Sequence, residues 1–180
     1  MPCAEPQAAF EKLPKAYRSA LNGSALNELS KLGEDEPEIE WLTASHGPQK
    51  ATSSYVTFTP AIVAPISKGT ITLKSADTAD NPIVDPNVLT STTDKLLAIQ
   101  IFKRLQDIVK ASGLTTGPEL KVGLSPNATD SQILAGMQKT GLPWYHGVGS
   151  CKIVVVRRAE DADERCTKVL WATRPTLTLW

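Results

Sequence analysis

The chain has 180 residues, 19 of them basic and 19 acidic, for a formal net charge of zero. That length suits one domain with ragged ends, able to bury roughly two-thirds of its unfolded surface. Electroneutrality argues against nucleic acid or an anionic membrane surface as the main partner, because both are met by basic patches, and no apolar run approaches the roughly 20 residues of a membrane span.

The first 17 residues carry no basic cluster leading into an apolar stretch, so they do not read as a signal peptide. Residues 1–30 read as helical or loosely ordered. Phe10, Leu13, Tyr17, Leu21 and Leu26 make a partial helical stripe, interrupted by Pro14 and Gly23. The acidic group Glu34, Asp35, Glu36, Glu38 and Glu40 around Pro37 reads as a solvated loop entering a strand at residues 39–42. A polar loop covers 44–54 and contains His46, which reads as a surface residue. Residues 55–59 then read as a strand, with 61–63 as a candidate continuation past Pro60, and Pro60 and Pro65, which cannot donate to a ladder, leave it interrupted or near an edge. After the turn Ser67-Lys68-Gly69, residues 70–74 alternate polar and apolar, the pattern of a half-buried strand paired in a hairpin or meander.

Residues 75–93 are loop-like, with turn chemistry at Asp80-Asn81-Pro82 and Asp85-Pro86-Asn87 and a short sheet bridge at Ile83 and Val84. One of Ser91, Thr92 or Thr93 caps a helix over residues 94–111. Its face is Leu97, Ile101, Leu105 and Ile108, and Gly113 is its stop. A second helix over 130–139, capped by Thr129 and ended by Gly141, turns Ile133, Leu134 and Met137 inward. Cys3, Cys151 and Cys166 are odd in number and widely spaced. With only two histidines beside them, neither a disulfide framework nor a metal site is expected.

The segment that can carry chemistry is Trp144-Tyr145-His146-Gly147-Val148-Gly149-Ser150-Cys151-Lys152. Two aromatics ahead of an imidazole exclude water, and glycines after it let backbone approach a flat ligand. Desolvation favours the neutral imidazole, the form that accepts a proton. On residue chemistry alone, a histidine beside aromatics is more often a hydrogen-bonded structural residue.

Tyr145-His146-Gly147-Val148-Gly149-Ser150-Cys151-Lys152 also resembles the C-terminal signature of the glucose–methanol–choline (GMC) oxidoreductases, in which an aromatic-His-x-x-Gly-[Thr/Ser]-Cys run carries the active-site histidine. Upstream, Pro65-Ile66-Ser67-Lys68-Gly69-Thr70-Ile71-Thr72-Leu73 resembles the family's Pro-x-Ser-x-Gly strand. Residues 75–89 resemble the loop and second strand that follow, and the helix after Asp94, with Lys103 and Arg104, is in the family's position. The resemblance runs from about Phe10 to Lys152. It implies a substrate-binding domain over residues 1–152 with an α+β fold, an antiparallel β-sheet backed by helices, and FAD as cofactor and a small-molecule alcohol as substrate. It also implies His146 as the base, Tyr145 and His146 beside the flavin, and Trp144 and Tyr145 as walls of the substrate pocket.

Two departures qualify that implication. No Gly-x-Gly-x-x-Gly fingerprint for a dinucleotide pyrophosphate occurs in the sequence. Residues 153–180 contain no His or Asn for the family's second catalytic position. They read as a divergent tail, by expectation a displaced reading frame or mis-spliced end rather than a terminal strand. The chain is therefore expected to be a family fragment that is inactive alone. The alternatives are a non-catalytic binding or interaction module, prone to self-association, and a split-enzyme subunit served by a separate FAD-binding chain.

Overall fold

A computed structural model describes residues 7–44, 56–113 and 127–141. They fall into two compact units, one comprising residues 7–44, 56–66, 89–113 and 127–141, the other residues 67–88. The class is α+β with antiparallel sheets, as the sequence predicts.

In the first unit, strands β1 (Gln7–Glu11), β2 (Ile39–Ala44) and β3 (Thr57–Ile62) form one antiparallel sheet in the order β1-β2-β3. The expectation of helix or loose order at the N-terminus is corrected here. Phe10, the first residue of the supposed helical stripe, lies on β1 opposite Glu40 and is 61% exposed. The stripe breaks at Pro14 because Pro14 is the extended residue (φ −60°, ψ 151°) from which α1 (Lys15–Arg18) starts. Gly23 interrupts nothing either. It is the first residue of α2 (Gly23–Leu29), where the Asn22 side chain accepts a hydrogen bond from the Ala25 N–H (2.8 Å) and Ala25 and Leu29 are buried. β3 runs unbroken through Pro60 as the edge strand, the position in a sheet that tolerates proline.

Glu38 overturns the reading of the acidic run as wholly solvated. Its side chain is fully buried; Oε2 accepts from the Leu13 N–H at 2.9 Å and Oε1 from Arg18 Nη2. Arg18 Nε in turn donates to the Leu13 carbonyl at 2.8 Å. One carboxylate thus closes the turn between β1 and α1 onto the start of β2.

Helix α3 (Thr92–Ser112) is capped by Ser91, whose hydroxyl accepts from the Thr93 N–H, and ends at Gly113 in the left-handed region (φ +63°). The expected stripe is only part of its buried surface. From Leu97 to Phe102 every residue is buried, so the helix is covered on all sides there, against α1, α2, β3 and α4. Ile99 and Phe102 meet Ile133 of α4 (Asp130–Thr140), with Ala128, Leu134 and Met137 around them, and Lys103 pairs with Asp130 at 2.6 Å. α4 starts from a capping box in which Thr129 and Gln132 satisfy each other's backbone N–H groups. At the N-terminus of α3, buried Asp94 accepts from the Ile66 N–H at 2.9 Å, tying the end of the β3 segment to the helix.

The second unit is a two-stranded antiparallel sheet of β4 (Thr70–Thr72) and β5 (Ile83–Asp85), with Ile71 opposite Val84. β4 pairs with β5 and not with β3, and both strands are exposed, which corrects the half-buried expectation. Period-two alternation reports that one strand face is apolar; it does not report whether a second layer covers it. The base of the hairpin is tight. A Cβ on Gly69 would lie 2.2 Å from the Asp85 carbonyl oxygen, and Asn87 Nδ2 donates to the Lys68 carbonyl at 2.9 Å. Gly69→Ala is expected to force β4 and β5 apart at a cost of about 1–3 kcal/mol. The check is loss of the cross-strand NMR contacts between Ile71 and Val84 while thermal unfolding of the first unit stays unchanged.

Candidate functional site

The sequence-predicted site residues Trp144, Tyr145 and His146, with the rest of the segment to Lys152, lie outside the described residues, as do His46 and the tail 153–180. What is described is the support ahead of them. α4 is fixed to α3 through Ile133 and the Lys103–Asp130 pair. It stops at Gly141, whose N–H donates to the Met137 carbonyl at 2.6 Å, three residues before Trp144.

A polar cluster missed in the sequence joins the N-terminal strand to α3. Arg104 Nη2 donates to Glu11 Oε1 at 3.0 Å, and Trp41 Nε1 donates to Glu11 Oε2 at 2.9 Å. The Arg104 guanidinium carbon lies 5.9 Å from the centroid of the Tyr17 ring, within cation–π range, and the Tyr17 hydroxyl donates to Asp107. No local signal announces this cluster, because the partners in its hydrogen bonds are 30 to 93 positions apart.

The hydrogen bonds join β1, β2, α1 and α3, so the cluster acts as a clasp. Burial, and then the hydrogen bond to Asp107, raise the Tyr17 phenol above its ordinary value. The hydrogen bond to Glu11 leads the causes that raise Arg104 further. Both shifts move away from neutral pH. Because the folded phenol holds its proton more tightly than the unfolded one, its contribution to stability is intact below the ordinary tyrosine value of 10.0 and is lost as pH rises above it. Urea unfolding between about pH 9 and 11 is expected to show this decline in the wild type and a shallower one in Tyr17→Phe.

The resemblance implies FAD, whose pyrophosphate is ordinarily held by backbone amides at a glycine-rich strand-to-helix turn. The described glycines do not fit that task. Gly33 donates its N–H to the Glu36 carboxylate, Gly69 is closed by the Asp85 carbonyl, Gly113 and Gly141 follow helix ends, and Gly136 lies inside α4. Gly23 opens α2, which follows the short α1 and not a strand. The described residues therefore supply no such pyrophosphate cradle. Among them, no group of three or more His, Cys, Asp or Glu could hold a metal ion, and no helix is long and apolar enough to cross a membrane.

Comparison with known proteins supplies the assignment. The sequence profile described as GMC oxidoreductase matches residues 65–157, from the residues leading into β4, through α3 and α4, and past the His146 segment. The chain belongs to the GMC oxidoreductase family, and its matched region is that family's C-terminal domain. It is 29% identical over 156 residues to the glucose-methanol-choline family oxidoreductase mfmG of Annulohypoxylon moriforme, covering 80% of this chain and 26% of the relative. It is 37% identical over 107 residues to the versicolorin B synthase stcN of Emericella nidulans, covering 58% of this chain and 17% of the relative. The patulin synthase of Penicillium expansum is 31% identical over 176 residues, covering 90% of this chain and 28% of the relative. The chain thus spans 17% to 28% of the length of these curated relatives.

Proposed function

We propose that this chain supplies the substrate side of a GMC-type alcohol oxidoreductase and that its own chemistry is the movement of one proton. The reading is carried by the family match across residues 65–157, a span that includes His146 and the residues around it. In this reading the neutral imidazole of His146 accepts the hydroxyl proton of a small-molecule alcohol, and Trp144 and Tyr145 wall the pocket and keep it dry. Tyr145 and His146 face the cofactor. The family is in general FAD-dependent. Since the described glycines form no pyrophosphate cradle, no electron-transfer step is assigned to this chain's residues. The flavin is held by the FAD-binding region of such an enzyme, and residues 1–180 by themselves are expected to be colourless and inactive on alcohols. Residues 1–152 are the substrate-binding domain and 153–180 a tail of altered frame; sequencing the transcript across the Lys152 codon tests the tail, and one continuous frame ending at Trp180 would contradict it.

A second reading, a non-catalytic interaction module, is favoured by the exposure of Ile71 (46%), Val84 (60%) and Leu73 (86%) on the hairpin. Co-expression with the FAD-binding region of a GMC relative separates the two. The enzymatic reading expects a flavin absorbance that bleaches on adding alcohol only when both chains are present. Binding of the second chain without alcohol-dependent bleaching would support the interaction module instead.

A further inference from the structure

We infer that Asn22 is an N-glycosylation site, which takes its oligosaccharide from a lipid-pyrophosphate donor. Asn22-Gly23-Ser24 is an Asn-x-Ser tripeptide whose central residue is not proline, the pattern that an oligosaccharyltransferase of the secretory pathway accepts.

The fold divides the Asn22 amide between two tasks. Oδ1 is occupied, because it accepts from the Ala25 N–H at 2.8 Å and so caps α2. Glycosylation uses the other atom, Nδ2. In the transfer a bond forms between Nδ2 and the anomeric carbon of the first sugar. The bond from that carbon to the donor's pyrophosphate oxygen breaks, the lipid pyrophosphate leaves, and one Nδ2 proton passes to a base of the transferase. The product is a secondary amide whose carbonyl oxygen is unchanged. Sugar and helix cap are therefore compatible on one side chain. There is room for the product as well. Asn22, Gly23 and Ser24 are all exposed, and a Cβ placed on Gly23 would meet nothing within 4 Å.

The transferase reads the tripeptide on the chain as it is made, so later packing does not decide the transfer. A bulky, hydrated glycan does require that this corner stay in solvent in the finished enzyme. The chain has a second tripeptide of this kind, Asn127-Ala128-Thr129. Asn127 has an interaction of its own in the fold, and the inference is confined to Asn22. It is independent of the proton transfer proposed for His146.

The test begins with the protein isolated from the organism that makes it. Trypsin releases residues 19–31 as one peptide, which contains Asn22 and also Asn27. Mass spectrometry is expected to find most of this peptide carrying an N-acetylglucosamine-based glycan. Peptide:N-glycosidase in heavy-oxygen water is expected to convert Asn22, and not Asn27, to labelled Asp. A bare peptide would overturn the inference, as would unlabelled Asp at position 22, since an Asn-Gly pair can also deamidate without a sugar. Variants made in a eukaryotic secretory host locate the site. Asn22→Asp and Ser24→Ala are each expected to lose one glycan's worth of gel mobility shift, and Ser24→Thr to keep it. Asn22→Asp retains a carboxylate oxygen to accept from the Ala25 N–H, so its loss of sugar is not a loss of the cap. A shift unaffected by Asn22→Asp but removed by Asn127→Gln would overturn the assignment.

Discussion

If the proposed role holds, His146→Ala is expected to lower the turnover of alcohol about 10²- to 10⁴-fold when the chain is assembled with a flavin-binding partner, with the flavin content of the complex unchanged. The magnitude is that of a single positioned proton acceptor. The split between the two readouts follows from the proposed division of labour: the imidazole accepts a proton, and other residues hold the cofactor. Three further signatures separate a base from a structural histidine. The acid limb of the kcat/KM profile flattens in the variant, added imidazole restores part of the rate, and the thermal unfolding of the chain is unaltered. An alanine variant with wild-type turnover, or one that loses its flavin, would assign His146 a different role.

Glu38→Ala is expected to have the largest effect on stability. The carboxylate is fully buried and holds both Arg18 and the Leu13 N–H. Removing it leaves a half-buried guanidinium and a buried amide without their acceptor, for a loss of about 3 kcal/mol. In a chain of this size that corresponds to a fall in Tm of about 6–12 °C. Glu34→Ala, on the exposed part of the same acidic run, should stay within about 0.5 kcal/mol of the wild type. Arg18→Ala added to Glu38→Ala should recover part of the loss, because the stranded cation is gone. Equal melting of the Glu34 and Glu38 variants would show that the buried pair contributes nothing.

The helices were legible because their signals are local. Thr129 and Gln132 sit three residues apart and cap each other, and Gly113 takes the left-handed conformation that ends α3. β2 and β3 were legible for a similar reason, with Pro60 marking the edge. β1 was not, because the spacing of Phe10, Leu13 and Tyr17 imitates a helical period, although the three lie on β1, in the turn after it and on α1. Glu38 was not, because a buried glutamate and an exposed one look alike until Arg18 and Leu13 are known to surround it. The clasp of Glu11, Trp41, Tyr17, Arg104 and Asp107 depends wholly on tertiary approach. The signature around His146 was read from family wording and not from periodicity, and the fold contributes only the fixed end of α4 that leads toward it.

The claim on which the account turns is that this chain contributes the proton acceptor and no grip on FAD. Titrating FAD into the purified chain and following flavin fluorescence tests it directly. The expected result is no saturable change and no flavin retained after gel filtration. A one-to-one complex whose flavin bleaches on addition of an alcohol would contradict it.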